Sequence, residues 1–470
     1  MQFDSLLFLL FFTSVVSIYY VLPHWRAQKI LLLAASYIFY ASYSPPLIIL
    51  IWFSTLIVYF LAKQIHITTK KGTRKLLITS GLIANLSVLF YFKYASFLLG
   101  TFSFLLSKVG VQYNAPEMNI ILPIGISFYT FQALSYLIDI YRQQIEPEKD
   151  LIDFALYITF FPQLVAGPIV RASHFLPQCK SKRKGNLNDF SWGLTLLLFG
   201  IFVKIVLADK AMAPIADTVF SAPETSTWLD SWVGIFAFSG QIFYDFSGYS
   251  ICAIGAAKCF GFDLPENFRA PYASLGFAEF WHRWHISLST WLRDYLYISL
   301  GGSRKTNVST YINLLFTMFL AGLWHGASWT FVLWGGIHGI FLILERSLKK
   351  HISMKTPGSS VQFFLALGTF FLISLIWVIF RAENVSVAMQ LYNNILHYTP
   401  QLTLSKNSVT AVLSITIGTF LWHFHMRGKN FETYFKSFSI PFRALIISSS
   451  LILIGLCSTG DSRAFIYFQF

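Results

Sequence analysis

The stretch YINLLFTMFLAGLWHGASWTFVLWGGIHGIFLIL, Tyr311 to Leu344, carries no Lys, Arg, Asp or Glu. A bilayer crossing takes about 20 residues, so a run of this length reads as two crossings. Its apolar residues are continuous rather than alternating. In lipid that means helices, because only helices and closed barrels satisfy every backbone group there. At its centre stands Gly322-Leu323-Trp324-His325-Gly326-Ala327-Ser328-Trp329. An ionisable side chain at membrane depth is costly and usually faces a water-filled cavity or a partner. His325 is therefore the first candidate for chemistry.

Similar runs recur along the chain, from Ser5–Leu22 through Leu76–Phe92, Ile120–Ile140, Phe154–Ile169, Trp192–Leu207, Trp232–Ala257 and Val361–Phe380 to Ala444–Cys457. Of the 470 residues 55% are hydrophobic and only 12% charged, with 49 Phe, and the mean hydropathy is +0.59. Such a chain cannot present an ordinary water-facing surface. The expected fold is an all-α polytopic membrane protein of roughly 11 to 13 spans with re-entrant helices, the short runs counted as half-membrane elements. The hydrophilic stretches, of which Arg171–Asn188 and Asn384–Asn407 are the longest, are too short to bury a core of their own. One membrane domain, 1–470, is expected, with a motif-rich core at about 120–345 and an aromatic tail at 461–470.

The net charge of +14 could suggest nucleic acid, but its distribution excludes that reading. Basic residues cluster between apolar runs: Lys70, Lys71, Arg74 and Lys75; Lys180, Lys182, Arg183 and Lys184; Lys349, Lys350 and Lys355; Arg427, Lys429, Lys436 and Arg443. This is positive-inside topology, with the bilayer as the partner. No Lys or Arg precedes Arg26 and no cleavage site is apparent, so the first segment is expected to be retained, with both termini on the outer or periplasmic side. The four cysteines, Cys179, Cys252, Cys259 and Cys457, form no C-x-x-C pair and read as small packing residues.

The central third holds the informative polar residues. Leu122-Pro123-Ile124-Gly125 opens one segment on a helix breaker, and Phe161-Pro162-Gln163-Leu164-Val165-Ala166-Gly167-Pro168 carries Pro and Gly within an apolar run. Broken backbone at this depth either lines a cavity or belongs to a kinked packing helix. Tyr244-Asp245-Phe246-Ser247-Gly248-Tyr249 and Glu266-Asn267-Phe268-Arg269-Ala270-Pro271-Tyr272 follow, leading into Phe280-Trp281-His282-Arg283-Trp284-His285-Ile286-Ser287-Leu288-Ser289. There, charged and aromatic residues alternate at helical spacing, as in an amphipathic or re-entrant helix that lines something polar. Trp324, Asp245, Asn267, Arg283 and Ser289 are the candidate lining residues. His282 and His285, at i and i+3, raise the question of a metal. Zinc needs a third protein ligand, and no H-E-x-x-H or cysteine pair supplies one, so no metal is expected. His285 is either a hydrogen-bonded structural histidine or a group that orients substrate or His325. His338, about 13 residues of helix and so about 20 Å from His325, is not expected to share a reactive atom with it.

Taken together, these motifs with Phe380-Arg381-Ala382-Glu383-Asn384 and the terminal Phe465-Ile466-Tyr467-Phe468-Gln469-Phe470 resemble the membrane-bound O-acyltransferase family, and within it the branch that acetylates alginate and peptidoglycan in bacteria. The resemblance runs nearly end to end. It departs at Ile251, where the family usually has Asp, and at Ser299, where it usually has Pro. The resemblance implies a helical bundle around a funnel-like pore, with His325 as the catalytic histidine and His285 as the second motif histidine. It also implies transfer of an acetyl group from acetyl-CoA or another cytoplasmic acyl thioester, with no bound cofactor. The destination is an exported polysaccharide, alginate first, with peptidoglycan acetylation or teichoic-acid D-alanylation as alternatives. No hydrolase-like domain is present in the chain, so a separate periplasmic or extracellular O-acetyltransferase is the implied protein partner.

Transfer to a hydroxyl needs a base for the proton lost as the oxygen attacks, and imidazole suits that at neutral pH. The tail carries one phenol, Tyr467, among apolar residues. It either lies in the interface as an aromatic belt or folds back to present Tyr467 near His325 as an acyl relay. A transporter or flippase is the rival from another class, since broken helices with polar residues are equally its signature, but an internal repeat of such segments is lacking. An assembly scaffold with a structural histidine is the third reading.

Overall fold

The computed structural model describes all residues except 114, 115, 117, 119, 184, 185, 352–357, 459–462, 464 and 467–470. Among the described residues the chain is helical and has no strand. Eight helices among the described residues are long and apolar enough to cross a bilayer: Pro45–Ile67, Lys71–Lys108, Leu187–Ser221, Asn307–His325, Trp329–Lys350, Ser359–Arg381, Lys406–Met426 and Ile440–Cys457. The remaining apolar runs fold as shorter or more polar helices, among them Leu6–Val21, Trp25–Ala41, Ile126–Tyr141 and the 32-residue Trp228–Cys259. Only 6% of the apolar window of Ile440–Cys457 is buried by protein. A helix that is apolar all round and uncovered by protein requires lipid as its solvent. The chain is thus a multi-pass membrane protein.

It divides into two compact units, Met1–Leu194 with Ala253–Pro265, and Thr195–Cys252 with Glu266–Phe470. In the first, Ile126–Tyr141 is the central helix and is buried along nearly its whole length. Its start is set by Gly125, left-handed at φ 73°, where a Cβ would stand 2.6 Å from the Leu164 carbonyl oxygen. The break at Phe160–Gly167 belongs to this core. Phe161 sets its ring edge-on to Phe11 at 5.3 Å and its N–H donates to Ser36 Oγ at 3.0 Å. The Gln163 amide donates to Tyr157 O at 2.8 Å. A buried Lys29–Asp153 ion pair ties Trp25–Ala41 to Leu151–Thr159.

In the second unit the apolar run Tyr311–Leu344 folds within an antiparallel pair, Asn307–His325 and Trp329–His351. Gly322 and Gly335 make the pairing close, since a Cβ on either would strike the backbone of the facing helix, Phe331 O or Met318 O. Small residues let membrane helices meet backbone to backbone in this way. The core of this unit is built on Trp284, Trp334 and Trp377, all fully buried.

Candidate functional site

His325 is the last residue of its helix. Gly326 continues in extended backbone (φ −163°, ψ 154°) and turns the chain into the helix that starts at Trp329. That turn sets the imidazole, 2% exposed, among aromatic rings with centroids at 5.0 Å (Trp334), 5.1 Å (Trp324) and 5.3 Å (Phe380).

His285 stands where two short helices, Phe277–Arg283 and Ile286–Trp291, fail to join. Its backbone is left-handed (φ 42°, ψ 55°), a conformation that costs a non-glycine residue about 1–3 kcal/mol and persists only when its surroundings enforce it. The enforcement is visible. Arg269 N–H donates to Arg283 O at 3.0 Å and Ile286 N–H to Asn267 O at 2.9 Å, bracketing the kink. Asn267 Oδ1 then accepts from Ser287 Oγ at 2.6 Å and Ser287 N–H at 3.3 Å. The imidazole, fully buried, lies edge-on to Phe246 at 4.6 Å and 5.6 Å from the Trp324 ring. One indole, Trp324, is therefore shared by both histidines.

The other expected site residues among those described fall in four places. Trp324 and Asn267 belong to this cluster, the first as a shared wall and the second as a brace for His285. Ser289 closes on local backbone, its Oγ donating to Trp284 O at 3.1 Å. Arg283 lies beside Glu279 at 2.8 Å and also donates to Arg269 O. Glu279 further receives Arg427 and Leu275 N–H, each at 2.9 Å. Burial raises the Glu279 carboxyl, but the Leu275 N–H, Arg427 and Arg283 outweigh it and hold the group below the usual glutamate range. Asp245 is buried 2.6 Å from the Lys204 ammonium. Tyr467 lies outside the described residues.

His282 is exposed, with Nδ1 2.6 Å from Ala278 O, while His285 is buried. Among the described residues no three of His, Cys, Asp and Glu gather as a metal would need. The 20 Å separation expected between His325 and His338 is wrong. The turn after His325 folds the second helix back, and both imidazoles lie against Trp334, at 5.0 and 4.7 Å. Sequence reasoning also missed Phe246, Trp334 and Phe380 as walls, because each sits in an apolar run with nothing to tell an inward ring from a lipid-facing one. Lys204 did carry a signal, being a lone charge deep in the Trp192–Leu207 run.

The second unit thus gathers buried imidazoles among membrane helices, two of them, His285 and His325, against one indole. Residues 142–382 match MBOAT, the membrane-bound O-acyltransferase family. The chain is 42% identical to the probable alginate O-acetylase AlgI of Azotobacter vinelandii, over 90% of this chain and 83% of that one. It is 37% identical to the peptidoglycan O-acetyltransferase of Helicobacter pylori, over 77% of this chain and 72% of that one. It is also 29% identical to the teichoic acid D-alanyltransferase of Streptococcus thermophilus, over 47% of this chain and 56% of that one. The chain belongs to the MBOAT family and is a membrane O-acyltransferase.

Proposed function

We propose that this enzyme takes an acetyl group from a cytoplasmic thioester, acetyl-CoA first, and passes it across the membrane for O-acetylation of an exported polysaccharide of the alginate type. The observation that carries this reading is the row His285, Trp324, His325, two buried imidazoles on one indole. The relatives named for alginate support the substrate class. His325 is the general base. It takes the proton of the attacking hydroxyl as that oxygen bonds to the thioester carbonyl carbon. The tetrahedral intermediate then collapses, the C–S bond breaks, and the departing thiolate receives the proton as a free thiol. A positioned base is worth about 10²- to 10⁴-fold. His285 orients the acyl group or supplies a donor to the oxyanion.

The first hydroxyl in this reading is the Tyr467 phenol, acting as an acyl relay. Support comes from the residues just before it, since Phe465 and Ile466 are buried within the second unit rather than spread in an interface. The ester then passes to a separate periplasmic O-acetyltransferase. The proposed location is the cytoplasmic membrane with both termini outside, following the basic linkers.

The test is transfer of labelled acetyl from acetyl-CoA to purified wild type, His325→Ala and Tyr467→Phe, each checked for folding. Label held by wild type and lost in both variants is expected. Label on Tyr467→Phe equal to wild type sinks the relay, and label on none sinks the donor. A second reading, peptidoglycan as acceptor, is favoured by the Helicobacter relative. Cells lacking the protein separate the two by which polymer loses its O-acetyl groups.

A further inference from the structure

A buried charge cluster that the histidine chemistry does not use grips the last described residues of the chain. Lys204 Nζ lies 2.6 Å from Asp245 Oδ1 and 2.8 Å from Asp209 Oδ1. Lys204 and Asp209 share Val203–Met212, which is wound as a π-helix. Bonding from i to i+5 brings residues five apart onto one face, where an α-helix would turn them away. Asp245 comes from Trp228–Cys259, and Gly248, three residues on, shares its face. A Cβ at Gly248 would stand 2.9 Å from Gly200 O and 3.3 Å from Lys204 Cβ, so glycine there is what lets Lys204 lie over Asp245.

Charged groups withdrawn from bulk water in this way are tolerated only with further hydrogen bonds. The C-terminal segment supplies them. Ile466 N–H donates to Asp245 Oδ2 at 2.6 Å, and Lys204 Nζ donates to Arg463 O at 3.4 Å. Phe465 packs on Tyr249 at 4.7 Å and on Phe246 at 5.8 Å, and Phe246 is the ring set against His285. Outside this grip the Arg463 guanidinium pairs with Asp217, which also holds Arg381 at 2.9 Å.

We propose that Asp245 and Lys204, with Asp209, form a docking clamp that holds the C-terminal segment by its main chain and sets the register in which the chain's end meets the histidine row. They are positioning residues, and their role in transfer rests on the relay reading above. Because the clamp takes a backbone N–H and a backbone C=O, it is indifferent to the side chain at 466 but not to the loss of its N–H.

Docking is read without any transfer by the rate at which a maleimide modifies Ile466→Cys in a chain whose Cys457 is Ser. Slow labelling with Asp245 intact and labelling faster by about tenfold or more in Asp245→Ala is expected for loss of a buried charged acceptor. Equal rates overturn the clamp. Asp245→Asn restores an acceptor and leaves the Lys204–Asp209 pair in place, so it is expected to recover slow labelling; no recovery overturns the main-chain grip. Should Asp245→Ala not fold, Ile466→Pro deletes the N–H and leaves all three charges in place. Its acetyl transfer is expected to fall about tenfold below that of Ile466→Val. Maleimide labelling of Phe465→Cys, a position 1% exposed, is expected to stay slow beside Ile466→Val and to speed up beside Ile466→Pro; equal slow labelling overturns the clamp, whereas faster labelling with equal transfer upholds it and sinks the relay.

Discussion

The break at Phe160–Gly167 and the break at Trp284–Ile286 are made of the same materials, aromatic rings, a polar side chain and interrupted helix, yet they are held differently. In the first, Phe160 keeps negative φ, and Gln163 and the Phe161 N–H close on a carbonyl and a serine hydroxyl of the same core. Nothing titratable is displayed. In the second, a histidine is held left-handed by two backbone bonds and by an asparagine that accepts from Ser287 twice. Interruption by itself marks packing. Interruption that forces strain on a residue with an ionisable ring marks a place where that ring's direction matters.

The largest test of this contrast sets the second unit's imidazole against the first unit's amide. His325→Ala is expected to lower acetyl transfer by about 10²- to 10⁴-fold, while Gln163→Ala leaves transfer per folded molecule unchanged and lowers only thermal stability. Comparable loss of transfer in both would erase the distinction. Next, Asn267→Ala removes the acceptor of both Ser287 donors, with an expected destabilisation of about 1–3 kcal/mol and a loss of transfer per folded molecule. Asn267→Asp, which keeps an acceptor, retains most of it. If single-turnover transfer by Asn267→Ala matches wild type, the brace does not direct His285.

Gly125→Ala probes the first unit's own special backbone. Left-handed φ and the Leu164 oxygen at 2.6 Å predict a destabilisation of about 1–3 kcal/mol, seen as a lower melting temperature in detergent with unchanged transfer per folded molecule. The smallest effect concerns the lead-in to the second break. The Glu279 carboxyl titrates lower in the folded protein than in the unfolded chain, so its contribution is present above the ordinary glutamate range and is lost as pH falls through the depressed value. For a partly exposed bridge this is about 1 kcal/mol or less. Glu279→Gln is expected to flatten the acid limb of stability against pH, and an unaltered limb would show the bridge to be energetically silent.

The helical membrane fold was legible because lipid imposes a crude rule, long apolar runs with any charge conspicuous. His325 stood out on that rule, and so did the oddity of residues 280–289. What the runs do not show is direction. Trp377 and Phe380 lie in an unbroken apolar helix, and only packing reveals that Phe380 faces His325 while Phe364 is exposed. A three-residue turn between Gly326 and Ser328 was enough to misplace His338. Asp245 was read as a lining residue for want of its partner, since the Lys204 contact rests on the close approach at Gly248, which no residue pattern announces.

The contact between Gly322 and Gly335 has a mechanical consequence. A helix longer than the local bilayer tilts, and one in a thick membrane straightens. Two helices whose backbones touch cannot tilt separately, so the pair swings as one rod and carries His325 and Trp334 with it at fixed spacing. A change of bilayer thickness is therefore expected to move His325 and Trp334 together rather than apart.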